Sequence, residues 1–378
     1  MNYPAYFDYN ATTPVDPAVL EVMLPYFSMH FGNAASRTHV FGSKAEEAVA
    51  NARKQLARLL DADPKEIVFT SGATESINLA LKGVWEANRH RGNHLITVST
   101  EHKAVLDTCD HLAQLGAEVT FLPPDQEGLI TAEQVEAAIR PDTLLVSVML
   151  ANNETGVLQP VQAIGEVAHK HGVLFHTDAT QAVGKLPISW ANSPIDLLSL
   201  SGHKFYGPKG VGALLARKTV ALTAQQDGGR HERGRRSGTL NVPGIVGLGE
   251  AARLAHLHLP SEKDHIAALR DKLEAGILSQ LPQTSVNGSR QYRLPNTTNI
   301  AFAGVDGELL LLSLNEIAVS NGSACTSATT LPSHVLKAMR LSDDLAYSSV
   351  RFSLGRFTTE EEVDTAIRHV ARVVNQLS

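Results

Sequence analysis

The stretch Ser199-Leu200-Ser201-Gly202-His203-Lys204-Phe205-Tyr206-Gly207-Pro208-Lys209-Gly210-Val211-Gly212 sets the terms on which the rest of the chain is read. An apolar run from Ile195 to Leu200 predicts a strand that delivers a serine, a histidine and a lysine to its end. A Gly/Pro-rich turn then leads into a second apolar strand, Val211 to Ala216. A lysine so placed can sit inside the protein. Burial disfavours its ammonium form and brings it toward neutrality, where it can form a Schiff base with an aldehyde. Taken alone, Lys204 reads more simply as a solvated loop lysine, because lysine is rarely buried.

Upstream, the residues repeat one rhythm. A short extended arm broken by Pro14 and a helical spacing from Pro17 to Phe27 precede a long helix over Phe41 to Leu60, with Ala45, Val49, Ala52, Leu56 and Leu59 on one face. Strands are then predicted at Ile67 to Thr70, Leu95 to Ser99, Val119 to Leu122, Leu144 to Met149 and Val173 to His176. Helices over Thr74 to Trp85, Lys103 to Leu115, Ala132 to Ile139 and Val161 to His171 separate them. Such alternation predicts a mainly parallel sheet covered on both faces, with ligands at the strands' carboxyl ends.

Past Ala216 the rhythm changes. A basic, glycine-rich loop from Asp227 to Thr239 precedes a helix from Val242 to about Leu259, ending at Pro260, and another from Lys263 to Leu281. The order is then strand Thr298 to Ala303, helix Gly307 to Asn315, a short helix Ser333 to Met339, strand Val350 to Leu354 and helix Glu360 to Leu377. This predicts a second, smaller α+β domain.

Composition removes several classes of function. The chain has 378 residues, 43% hydrophobic and 19% charged, enough for two domains and a large core. A net charge of -6 gives no basic footprint for nucleic acid. No apolar run approaches the roughly 18 residues that span a membrane. No secretory signal is visible at Met1-Asn2-Tyr3-Pro4, so a cytoplasmic location is expected. The histidines contain neither H-E-x-x-H nor a partner CxxC, so no metal site is expected. Of the two cysteines, Cys109 shares a helical face with Val105 and Leu112 and reads as core. Cys325, in Gly322-Ser323-Ala324-Cys325-Thr326-Ser327, reads as a reactive thiol in an exposed loop.

Most of the polar motifs fall at strand ends. Asp178, in His176-Thr177-Asp178-Ala179-Thr180-Gln181, can place a carboxylate beside the ring nitrogen of a pyridine-type cofactor, with Gln181 near its phenolic oxygen; alone, Asp178 also reads as a helix cap. Ser71-Gly72-Ala73-Thr74-Glu75 offers backbone N–H groups and the Thr74 hydroxyl as a phosphate cradle, or a plain N-cap turn. His102 can lie over a bound ring or be a core histidine, and Arg351 can clasp a carboxylate or form an internal ion pair.

Together these stretches resemble the cysteine desulfurases of the class V aminotransferase type, associated with iron–sulfur cluster assembly and nitrogenase. The matching runs extend from Asp8-Tyr9-Asn10-Ala11-Thr12-Thr13-Pro14 through Gly32-Asn33, Asn152-Asn153-Glu154-Thr155-Gly156 and Arg236-Ser237-Gly238-Thr239 to Gly322-Ser323-Ala324-Cys325 and Arg351-Phe352-Ser353. The resemblance implies the aspartate aminotransferase-like fold type I of pyridoxal 5'-phosphate (PLP) enzymes. It implies a large α/β domain over 14–257 with a mainly parallel seven-stranded sheet, and a small α+β domain from 1–13 and 258–378. By the same resemblance, Lys204 would bond to the cofactor and move the substrate's α-proton, Asp178 and Gln181 would hold the ring, and His102 would stack on it and transfer protons. Ala73, Thr74, Ser201 and His203 would hold the phosphate, joined by Thr239 from the other subunit of a homodimer. Asn153 would also contact the cofactor and, with Arg351 and Asn33, the substrate. Cys325 would take sulfur from L-cysteine, leaving L-alanine and a persulfide passed to an acceptor such as an iron–sulfur scaffold. Housekeeping members usually continue past the last helix with a scaffold-contacting tail, whereas Ser378 follows it directly. Rival readings are a selenocysteine lyase or related β-lyase on the same fold, and a non-enzymatic sulfur-relay platform.

Overall fold

The computed structural model describes residues 3–321 and 332–377; Cys325 lies outside them. The chain opens with a two-residue strand, β1 (Ala5–Tyr6), and two short helices, α1 (Pro17–Met23) and α2 (Pro25–Ser28). Each helix starts on a proline, whose missing N–H is not needed in a first turn. Helix α3 (Val40–Leu60) buries the predicted face, including Ala45, Val49, Ala52, Leu56 and Leu59. Strand and helix then alternate as predicted: β2 (Ile67–Thr70), α4 (Ala73–Asn88), β3 (His94–Val98), α5 (Lys103–Gln114), β4 (Glu118–Leu122), α6 (Ala132–Ala138), β5 (Thr143–Ser147), α7 (Val161–Lys170) and β6 (Leu174–Asp178). Strands β7 (Leu197–Ser201) and β8 (Gly212–Ala216) complete the run.

These seven strands form one sheet in the order β2-β8-β7-β6-β5-β3-β4. Strands β3 to β7 pair in parallel, and β8 runs antiparallel to both its neighbours. Helices cover both faces, so β5, β7 and β8 are buried at every position, which is why they read as short unbroken apolar runs. The strand order turns back between β3 and β5, and the crevice at the carboxyl ends there is where an open α/β sheet accepts ligands. Cys109 is buried with Val105 and Leu112 in the core beneath this sheet, as expected.

One helix overrides a sequence expectation. In place of a helix ending at Pro260 and a second starting at Lys263, a single helix α8 (Val242–Gln280) runs through both, with Pro260 inside it. A proline inside a helix costs about 3 kcal/mol through the lost hydrogen bond and a ring clash. Here Pro260 and His256, whose carbonyl loses its donor, both lie on the exposed face of the helix. On either side the helix is held by packing. Its buried residues through Ala255 belong to the core of the seven-stranded sheet, and those from Ile266 onward belong to a second core.

That second core lies on β9 (Thr284–Val286), β10 (Thr297–Phe302) and, after α9 (Gly307–Ser313), β11 (Ile317–Ala318), α10 (His334–Ala338) and α11 (Asp343–Tyr347), β12 (Ser349–Ser353). The order β12-β10-β9 is antiparallel throughout. The closing helix α12 (Glu360–Leu377) packs Val363, Val370 and Val374 onto it. The N-terminal arm joins this smaller unit: β1 pairs with β11, and Asp8 bridges to Ser353. Only then does it cross to the large sheet, where Thr13 donates its N–H to the His203 carbonyl at 2.9 Å.

Candidate active site

The arm, the strand ends and β12 enclose a cavity of about 540 Å³, within the roughly 300–1,000 Å³ of small-molecule sites. One wall is the turn from β2 into α4. Gly72 there has φ 155° and ψ −175°, a region essentially closed to residues with a Cβ. Gly212 of β8 presses on it: a Cβ at Gly212 would lie 2.7 Å from the Gly72 Cα. The start of α4 has no side-chain cap, which leaves the N–H groups of its first turn facing the cavity beside Ser201. Glu75 in that turn accepts from the Ser71 N–H at 2.7 Å and from Arg236 Nε at 2.7 Å. The basic loop carrying Arg236 is anchored by Glu232, which pairs with Arg53 at 2.6 Å and accepts from the Phe69 N–H of β2 at 2.8 Å.

Across from this turn, β7 ends in a 3₁₀ turn over Gly202–Lys204. Lys204 is partly buried, and its Nζ donates to the carbonyls of Asn10 at 2.6 Å and Ala11 at 2.7 Å. His203 shares its Nδ1 with the Thr12 hydroxyl at 3.1 Å; burial, then the charges of Lys204 and Lys209, push its pKa down to about 4, so the ring is neutral. At the end of β6, Asp178 accepts from the Thr180 N–H at 2.9 Å, and Gln181 Nε2 donates to the Asn10 carbonyl at 2.9 Å. The Thr180 hydroxyl in the same wall is buried with no partner among the described residues, a polar atom a ligand can satisfy.

The end of β3 contributes a buried acid and a neutral base. Glu101 is fully buried, and burial first, then the Asp178 charge, hold its carboxyl well above the usual range. Its Oε1 accepts from the Met149 N–H at 2.6 Å, while Oε2 has no partner among the described residues. His102 caps α5, its Nδ1 accepting from the Ala104 N–H at 3.1 Å. Burial lowers its pKa against the pull of Asp178, so the ring is neutral with its proton on Nε2. His334, at the start of α10, donates from Nε2 to the Glu101 carbonyl at 2.9 Å, and the Ser333 hydroxyl bonds to the buried Glu154 carboxyl. On β12, Arg351 is 1% exposed. It pairs with Asp8 at 2.6 Å and donates to the Asn153 carbonyl at 2.8 Å, so an ion pair and a place on the cavity wall coexist.

Ala73, Thr74, His102, Asn153, Asp178, Gln181, Ser201, His203, Lys204 and Arg351 therefore line one cavity. Asn33 and Thr239 do not: both are exposed in loops, and Asn33 spends its Oδ1 on the Ala35 N–H at 2.9 Å. Cys325 lies outside the described residues. Sequence reasoning missed Asn10, whose carbonyl receives both Lys204 and Gln181 and whose Nδ2 donates to the Asn153 carbonyl at 3.2 Å and Thr297 Oγ1 at 2.9 Å. It also missed Glu101, Glu154 and His334. Glu101 had a signal in its position at a strand end beside His102, and Asn10 and Glu154 had one in the motif runs that contain them; His334 had none.

The residues fit PLP. An amine, a carboxylate and a donor-lined helix start share one cavity, and the buried Thr180 hydroxyl has no partner among the described residues. Among the described residues, no three His, Cys, Asp or Glu side chains are grouped to hold a metal. No described helix is long and apolar enough to cross a membrane.

Comparison with known proteins gives one consistent answer. The class-V aminotransferase family model matches residues 5–365. A cysteine desulfurase IscS from Anaeromyxobacter dehalogenans is 56% identical over 379 residues, spanning 100% of this chain and 94% of that protein. A solved NifS-like protein superposes with a TM-score of 0.93 at 39% identity, covering 99% of this chain and 100% of that one. A structure described as SspA in complex with cysteine gives a TM-score of 0.84 at 44% identity, covering 94% and 100%.

Proposed function

The chain belongs to the class-V aminotransferase family and is a PLP-dependent cysteine desulfurase, and we propose from that premise that its cavity is where L-cysteine yields its sulfur. The observation that carries this reading is the meeting of Lys204, Asp178 and the uncapped start of α4 on one cavity. When bound, the cofactor supplies an electron sink for charge developing on the substrate's carbon atoms. Lys204 Nζ would hold its aldehyde and, when released, move the substrate's α-proton. Asp178 would keep the ring nitrogen protonated, Gln181 would donate to the phenolic oxygen, and Asn153 would contact the ring. Ala73, Thr74, Ser201 and His203 would hold the phosphate. Arg351, with Asn153, would take the substrate carboxylate, and His102 would hold and move protons at Nε2.

Cys325 would then receive the sulfur. Its thiolate forms an S–S bond as the substrate's C–S bond breaks; the electron pair stays on carbon, which takes a proton to give L-alanine. The persulfide passes to an acceptor protein, an iron–sulfur scaffold in this reading, in the cytoplasm. A homodimer is supported by the apolar surface around α1 and α2, where Leu20, Leu24, Phe27, Met29, Phe31 and Phe41 are exposed. Thr239 would reach the phosphate from the second copy. The division into 14–257 and 1–13 with 258–378 is supported by the two cores that meet along α8.

The test is incubation with L-cysteine, followed by mass spectrometry of the Cys325 peptide and assay of alanine. The expected result is a peptide heavier by one sulfur atom and matching alanine. Alanine without that added sulfur would remove Cys325 from the reaction.

A further inference from the structure

Behind Gln181 lies a lysine that the reaction does not use, and an inference drawn from it rests on the reading above. Lys185 is half-buried at the residue level, with its amine enclosed, four residues past Gln181. Its Nζ is 3.0 Å from Gln181 Oε1 and 3.1 Å from the Gln181 carbonyl oxygen. The amine donates to both oxygens, and in its charged form it can only donate, so the amide oxygen faces it. Lys185 thereby settles an orientation that a glutamine alone leaves open. The NH₂ end then points the other way. One of its N–H groups goes to the Asn10 carbonyl at 2.9 Å, the same oxygen that receives Lys204 Nζ at 2.6 Å, and the second remains for the cavity that Gln181 lines.

The charged neighbours of Lys185 come from several elements. Lys204, Glu262 and Lys263 share a small secondary cavity with it, Arg351 repels it, and it in turn repels a protonated His203. Burial first, then Lys204 and Arg351, bring its pKa down to about 7, so its positive charge acts on the acid side of that value. We propose that Lys185 is a positioning residue for the cofactor, holding Gln181 as a donor toward the phenolic oxygen and setting a positive charge behind Lys204. Both effects stabilise negative charge on that oxygen and oppose an added proton where the cofactor meets Lys204. Loss of Lys185 therefore raises the pH at which that proton leaves.

The test reads the visible absorption band of the PLP-loaded protein against pH, without substrate or turnover. Lys185→Met and Lys185→Gln both remove the charge, and each is expected to move the band's midpoint up by about one pH unit. Lys185→Arg keeps the charge and the donors and is expected to stay within a few tenths of wild type. Using two neutral variants guards against one failing to fold. A folded neutral variant that binds PLP tenfold more weakly, with affinity kept in Lys185→Arg, counts the same way. Midpoints and affinities equal to wild type in the neutral variants, or an equal upward shift in Lys185→Arg, would overturn the proposal. A wild-type protein that shows no band with PLP would instead overturn the functional reading.

Discussion

Glu101 and His176 are buried titratable groups whose effects on stability have opposite signs. Glu101 keeps its proton to a higher pH when folded than when unfolded. Above the ordinary carboxyl range the unfolded chain has lost a proton the folded one retains, so stability falls as pH rises toward the folded pKa. His176 sits between the Ser147 and Ser199 hydroxyls at 2.8 and 2.9 Å, and burial pushes its pKa down to about 3. Here the unfolded chain holds the extra proton below about 6.5, so stability is lost as pH falls. Between pH 7 and 5 that loss is about 2 kcal/mol. Urea unfolding should therefore show Glu101→Gln removing the fall in stability that begins above the ordinary carboxyl range, and His176→Gln removing the fall below about pH 6.5. Unchanged slopes in both variants would mean that neither group titrates as its burial dictates.

Among the elements, the turn from β2 into α4 depends on β8. A methyl at Gly212 would meet the Leu200 carbonyl at 2.4 Å and Gly72 at 2.7 Å, and both are backbone. Overpacking of this kind typically costs 1–3 kcal/mol. Gly212→Ala should lower the melting temperature and, by displacing the start of α4, weaken PLP binding at least tenfold in a titration of the apo protein. A melting change with unaltered affinity would uncouple the turn from the cofactor. The same elements show how far the sequence could be read. Strands such as β2, buried along their whole length, declare themselves because every residue must be apolar or paired. Helix α8 was misread because the local rule for Pro260 is correct locally and loses only to packing on both sides of it. The two-residue strands β1 and β11 carry no pattern and exist only through their pairing. The strand-end residues of the cavity were legible by position. Its polar wiring through Asn10, Glu154 and Lys185 was not, because those partners come from distant parts of the chain.

For the whole molecule, the exposed apolar surface around α1 and α2 has to be covered, and a second copy of the chain is the proposed cover. Phe27 and Phe31 are exposed there, outside the cavity. The double variant Phe27→Asp with Phe31→Asp should sediment as a monomer and lose most desulfurase activity, because Thr239 would no longer reach a neighbouring phosphate site. Mixed dimers of Lys204→Ala with Thr239→Ala should regain one working site. A fully active monomer would refute both the shared site and the interface.

The arm that carries Asp8 and Asn10 also fixes an order of events. Its anchors on β12, Arg351 for Asp8 and Ser353 for the Asn10 N–H, lie 343 positions downstream. A ribosome therefore releases the amino end long before the strand that will receive it has been made. The large sheet can assemble during translation, but its ligand chamber stays unwalled on one side until β12 emerges. Cofactor capture thus becomes a late check on a chain synthesised at least as far as that strand.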